Sequence, residues 1–263
     1  MMKKMLKKSF LLCVVGVLAL SFTACVKQTE TDKLVVGTSA DYPPYEWHIM
    51  QNGEDKIVGF DIDIAQEIAK DMGKELEIKD MNFSSLLGAL EAGKVDLVLA
   101  GMTPDDEKKK NADFSDIYYT AEQGVIIRLE DKDKYKTVDD FQSVKVSVQQ
   151  GTSQEKIAAE QLKGCQLKTL TKVGDLILDL KAKKCDAIVL ELPVAKAYVE
   201  ENPDLIISEV QVIDEVGGSA AAVKKGNTEL LEQVNKTLKR LADEGKIDEF
   251  VANAIKLSSG ISE

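Results

Sequence analysis

The sequence predicts an α/β protein of two lobes, each a mainly parallel sheet flanked by helices. Three observations carry this. Strand-like and helix-like segments alternate through residues 34–100, and the same rhythm returns through 144–190. The third is scale: 263 residues with 44% apolar content can bury one large core or two modest ones.

The first segment stands apart from that rhythm. Lys3, Lys4, Lys7 and Lys8 precede the apolar run Phe10–Leu20, which meets Ser21-Phe-Thr-Ala-Cys25. This reads as a secretory signal over residues 1–24, because the apolar run is too short to span a bilayer. Phe22-Thr-Ala-Cys25 resembles a bacterial lipobox, with Phe in place of the usual Leu. That resemblance implies a lipid on Cys25, and two acyl chains there would hold the protein at a membrane surface without embedding it. Residues 25–33 are then a short polar tether.

The body begins with the strand Leu34–Thr38. Asp61 is positioned to N-cap a helix whose Ile64, Ala65, Ile68 and Met72 fall at helical spacing and whose end is marked by Gly73. Leu76–Ile78 alternates as a strand, Ser84 caps a second helix carrying Leu86, Leu87 and Leu90, Gly93 ends it, and Val95–Ala100 is the next strand. The second unit repeats the pattern with strands at 144–148, 167–170 and 186–190 and helices from about Gln154 and from Gly174 to Lys184. Two amphipathic helices close the chain, 227–241 and 247–255, and should pack back on the first unit. Lobe 1 is therefore expected at 34–118 plus 219–263 and lobe 2 at 119–218. The two crossings, near 119–123 and at Gly217-Gly218, would form a hinge.

Composition removes several classes of function. Loss of residues 1–24 takes away four lysines and no acid, leaving 30 basic against 45 acidic residues, a net charge of −15, so nucleic acid is not an expected partner. One histidine, His48, leaves little material for His-rich metal sites or for Ser-His and Cys-His catalytic pairs. Asp131-Lys-Asp133 and Asp139-Asp140 lack the glycine and terminal glutamate of a calcium loop, so no metal and no cofactor is expected. Gly88–Lys94 matches seven places of a phosphate-binding loop, but Val95 stands where a hydroxyl must reach the metal, and the stretch ends a helix. Beyond Cys13 and Cys25, only Cys165 and Cys185 could pair in an oxidising compartment.

What remains informative lies at the C-terminal ends of strands, where open α/β sheets bind small ligands. After the first strand, Ser39-Ala-Asp-Tyr-Pro-Pro-Tyr-Glu46 holds Tyr42 extended ahead of two prolines. Phe60 offers a second ring, and pattern alone leaves either ring as cavity wall or core. At Ala100-Gly-Met-Thr103 small residues allow close approach to the backbone. Gln149-Gln-Gly-Thr-Ser-Gln154 opens a helix whose N-terminus suits a carboxylate. Glu191 ends an apolar strand, where an ammonium could be received.

Taken together, Val36–Glu46, Gly59–Ala65, Gly101-Met-Thr103, Asp113–Tyr119 and Gly151-Thr152 resemble, in order and spacing, the family 3 extracellular solute-binding proteins, polar amino-acid receptors of ABC importers. The resemblance implies the type II periplasmic-binding-protein fold, closing on one L-amino acid. Lys108 would hold the ligand's α-carboxylate and Glu191 its α-ammonium, with Tyr42 and Phe60 as walls. Ala100, Gly101 and Thr103 would be the floor, and Gln149, Ser153 and Gln154 the contacts from lobe 2. Lys109 and Lys110 would face water. Relatives usually carry Arg where Lys108 stands, so a planar fork is replaced by a point charge. Ser39 stands where several relatives place an acid for a cationic side chain, with Asp41 and Glu46 as possible substitutes. Arginine, lysine, histidine, glutamine and cystine all remain open. The implied partners are ABC permease subunits, for a monomer lipid-anchored on the outer face of the cell membrane. The alternative is an enzyme on the same scaffold, similar to cyclohexadienyl dehydratases.

Overall fold

The structure is a computed structural model that describes residues 32–260. The signal segment and Cys25 lie outside the described residues. Two five-stranded sheets and a three-stranded antiparallel sheet make up the β structure of one compact unit.

The first sheet is built on β1 (Lys33–Thr38), which pairs in parallel with β5 (Glu75–Asp80) and β6 (Leu97–Val98). Leu34 and Val36 alternate into the core on one face, as a central strand requires. β13 (Ala222–Lys224) returns late in the chain to lie between β6 and β7 (Ala112–Phe114), antiparallel to both. The second sheet has the order β10 (Gln166–Leu170), β9 (Lys145–Gln149), β11 (Ala187–Glu191), β8 (Gln123–Arg128), β12 (Leu205–Ile207). Here β8 is antiparallel to both neighbours.

Each sheet is thus mixed in pairing, with four strands sharing a direction and one opposed. The opposed strand, β13 or β8, is the one by which the chain enters that sheet from the other. Just outside them, Tyr119 and Ser219 form an isolated antiparallel bridge, so the two connecting segments run side by side.

The segment after β1 is not a plain loop. β2 (Asp41–Tyr42), β3 (Glu46–Gln51) and β4 (Glu54–Val58) form a meander. Asn52 and Gly53, both at positive φ, make the two-residue turn between β3 and β4. That dipeptide is the strongest short-range hairpin signal a sequence carries.

Helix starts depart from the capping expectations. Helix α1 (Phe60–Asp71) is preceded by Gly59, and Asp61 does not cap it. Its carboxylate turns away from the helix toward two outside donors, described below. A Cβ on Gly59 would meet the Tyr45 carbonyl oxygen at 2.0 Å, so only glycine lets α1 start against β3. Ser84 lies inside a 3-10 turn (Phe83–Ser85) and makes no capping bond to α2 (Leu86–Glu91). The turn takes over the role of a cap by feeding the chain into the helix. Gly93 adopts the left-handed conformation expected of a helix terminator.

In the second sheet α3 (Ser153–Gln161), α4 (Val173–Lys181) and α5 (Leu192–Glu201) cover the faces. Helices α6 (Thr228–Asp243) and α7 (Lys246–Ser258) pack on α1. Val234, Leu238 and Leu241 join Ile64 and Ile68 in one cluster, each worth about 1.5–3 kcal/mol of burial. Arg240 ties the seam by reaching Glu67 and Asp71. Cys165 and Cys185 are both free thiols, and His48 sits half-exposed beside Asp55.

Candidate functional site

The C-terminal ends of the two sheets' strands meet at a narrow cavity. From the first sheet it receives Ser39 after β1, Tyr42 of β2, and Ala100, Gly101 and Thr103 after β6. From the second come Gln149 at the end of β9 and Ser153 and Gln154 at the start of α3. These are eight of the eleven ligand-contact residues expected from the sequence. The cavity is about 10 Å³, roughly the space of one water, so any larger molecule would enter only after the facing segments separate. Thr103 Oγ1 and Ser153 Oγ approach to 3.4 Å across it. Gln154 donates to Gln123 Oε1 at 2.9 Å and Gln149 to the Thr171 carbonyl at 3.2 Å, which holds both amides in place.

Beneath Gly101 lies an acidic floor. Asp61 Oδ2 accepts the Gly101 N–H at 2.9 Å and the Tyr118 hydroxyl at 2.9 Å, while Oδ1 has no partner. A Cβ on Gly101 would press to 3.2 Å on the Tyr45 ring, and its φ of +55° is left-handed, so glycine serves this close approach. Glu46, opposite Tyr42 in the β2–β3 register, borders the cavity, is fully buried, and lies against the Asp61 carboxyl with no basic partner among the described residues. Burial pushes the Glu46 carboxyl well above its usual range and Asp61 up to about 6.

The three remaining expected residues stand around the cavity rather than on it. Phe60 has no exposed surface; it packs 4.4 Å from the Tyr45 ring and 5.1 Å from Tyr119, one ring behind the wall formed by Tyr42. Its apolar bulk is worth more as a support for Tyr45 than as a wall. Glu191 ends β11 buried, receives the Tyr45 hydroxyl, and donates its own N–H to the Tyr42 hydroxyl at 3.4 Å. Burial pushes its carboxyl up to about 8. Lys108 begins a 3-10 turn (Lys108–Lys110) and borders a wider cavity of about 720 Å³ that shares Thr103, Thr152 and Ser153 with the narrow one. Its ammonium pairs with Asp105, whose Oδ1 also accepts the Lys108 N–H at 2.8 Å. Lys109 and Lys110 are exposed.

Phe83 and Thr152, which were not expected, also border the cavity, as does Glu46, offered from the sequence as a possible acid for a cationic side chain. Tyr45, Asp61 and Tyr118 act from behind it. Glu46 was within reach of sequence reasoning as an acid of the loop after β1; its place beside Tyr42 comes from the β2–β3 pairing across the Pro43–Tyr45 turn. Nothing local announces the meeting of Asp61 with Gly101 and Tyr118.

Comparison with known proteins follows this geometry. The family model for bacterial extracellular solute-binding proteins, family 3, matches residues 34–255. An arginine-binding extracellular protein of Bacillus subtilis (strain 168) is 37% identical over 255 residues, covering 93% of this chain and 96% of the relative. A probable histidine-binding protein of Campylobacter jejuni is 33% identical over 223 residues, covering 85% of this chain and 83% of the relative. An amino acid ABC transporter substrate-binding protein from Streptococcus pneumoniae, solved with bound L-arginine, matches with a TM-score of 0.84 at 39% identity, covering 88% of this chain and 97% of that one. With the match spanning both sheets and every segment of the cavity, the chain belongs to the bacterial extracellular solute-binding proteins of family 3.

Proposed function

We propose that the chain is an extracytoplasmic receptor that binds a polar L-amino acid and delivers it to an ABC importer permease, with a cationic amino acid such as arginine as its ligand. The observation that carries this is one polar cavity assembled from the strand ends of two sheets. A ligand held there touches both halves, so it stabilises the closed arrangement over the open one. The lobes divide at residues 119 and 218, where the connecting segments run together, and the hinge lies there.

The cationic class is supported by the relatives that bind arginine and by an acidic floor with no basic partner among the described residues. Lys108 serves the ligand's α-carboxylate after leaving Asp105, with one charge-assisted bond in place of a fork. Glu191 exchanges the Tyr45 hydroxyl for the ligand's ammonium. No helix among the described residues is long and apolar enough to cross a membrane. Attachment is through lipid on Cys25. The receptor acts without catalysis and as a monomer.

A thermal-shift screen of the twenty amino acids plus cystine tests the reading. A true ligand at a hundred times its dissociation constant adds roughly 2.7 kcal/mol, and arginine and lysine should give the largest shifts. No shift with any of them would sink the proposal. A buried carboxyl such as Glu191, protonated at neutral pH, would also suit a dehydratase's general acid. Turnover of prephenate or arogenate would favour that reading.

A further inference from the structure

We propose that the site also takes a ligand extended at its carboxyl end: a dipeptide whose first residue is a cationic amino acid seated in the narrow cavity and whose second residue lies in the wide one. This rests on the reading of the chain as a receptor for a cationic amino acid.

The observation behind it is the placement of Lys108. The lysine that serves the ligand's carboxylate borders the cavity of about 720 Å³ and not the narrow one. That volume matches a whole small-molecule site and far exceeds what a carboxylate needs. Its walls are the segment 103–108, helix α3 and residues 213–216. Thr103, Thr152 and Ser153 line both cavities, so the two adjoin there. The Thr103 and Ser153 hydroxyls, 3.4 Å apart, stand at that boundary. A hydroxyl can donate to a peptide carbonyl or accept from a peptide N–H, so the boundary suits a peptide link as well as a carboxylate.

The other two ends of a bound amino acid have no such room. At the side-chain end the buried Glu46 and Asp61 close the floor beneath Gly101. At the amino end Glu191 is buried between the Tyr45 and Tyr42 hydroxyls and borders neither cavity. The ligand can therefore grow only past its carboxyl group. Lysine at 108 serves that growth better than arginine would. A compact ammonium on a flexible stem can follow a carboxylate that lies one residue further out, whereas a planar fork fixes its place.

The lining also sets a preference for the second residue. Seven acids and two lysines border the wide cavity, and one of the lysines, Lys108, is already paired with Asp105. Asp214, whose Oδ2 lies 3.5 Å from Thr103 Oγ1, brings that negative charge to the boundary itself. A basic second residue is attracted by this field and an acidic one repelled.

Titration calorimetry of the purified chain with arginine, arginyl-lysine, arginyl-glutamate and N-acetylarginine tests this, with native mass spectrometry showing whether each bound peptide is intact. Arginyl-lysine should bind within about tenfold of arginine, and arginyl-glutamate roughly tenfold more weakly than arginyl-lysine at low salt. N-acetylarginine, extended at the closed end and bringing no ammonium to Glu191, should lose roughly a hundredfold or more. Arginine binding with no intact dipeptide bound, or N-acetylarginine binding as tightly as arginyl-lysine, would overturn the extended site while leaving the receptor reading intact. Failure of arginine and lysine to bind, with a neutral amino acid binding, would overturn the cationic ligand class and the dipeptide together.

Discussion

At the scale of single residues, the cavity separates side chains that touch it from those that hold others in position. Lys108 has 11% of its side chain exposed and is paired with Asp105, whereas Lys110 has 63% exposed and is paired with Glu107. A charge-assisted bond to a carboxylate is worth about 1.5–3 kcal/mol, so Lys108→Ala should weaken ligand affinity by roughly tenfold to a hundredfold. Lys110→Ala should leave it nearly unchanged, because an exposed pair contributes little. Equal losses at the two positions in a calorimetric titration would show that neither addresses the ligand.

At the scale of elements, the meander β2–β4 is joined directly to helices of the second sheet. The Asp41 carboxylate accepts the Val173 N–H at the start of α4 at 2.7 Å, and the Asp41 carbonyl accepts the Tyr198 hydroxyl of α5 at 2.9 Å. Asp41 thus caps a helix across the cleft and takes up an N–H that the helix cannot satisfy itself. In the opening proposed above these bonds would break, so they would favour the closed arrangement without contacting the cavity floor. Tyr198→Phe removes one such bond, about 1 kcal/mol, and should weaken every bound amino acid by roughly fivefold while preserving their ranking. A change in ranking would place Tyr198 in the binding surface instead.

At the scale of the whole molecule, stability should depend on pH in two separate windows. Asp61 is raised from 3.8 to about 6 and Glu191 from 4.5 to about 8, with burial the first cause in each. Between those unfolded and folded values the native chain keeps protons that the unfolded chain has lost. Stability contributed by these groups therefore falls as pH rises from about 4 to 8. Glu67 is held below its usual value by hydrogen bonds from Lys70 and Arg240, and Asp179 by Lys168, so their contributions are lost as pH falls below about 4. Without ligand, Tm should be higher near pH 5.5 than at pH 8, and saturating arginine should narrow the difference. A ligand-free Tm that climbs steadily over that range would contradict the buried acids as drivers.

The sequence by itself determined the local matters: strand and helix alternation, the left-handed glycine at 93, and the small-residue turn at 100–103. Each depends on free energies set within a few residues. It also reached most of the cavity, because ligand sites in open sheets gather at strand ends and strand ends are marked by their turns. Only the tertiary structure decided that Asp61 turns from its helix to Gly101 and Tyr118, that Phe60 stands behind Tyr45, and that β8 and β13 oppose their sheets. Those pairings join residues from 15 to more than 100 positions apart. Their energy comes from burial and from completing hydrogen bonds in a place that no local pattern specifies.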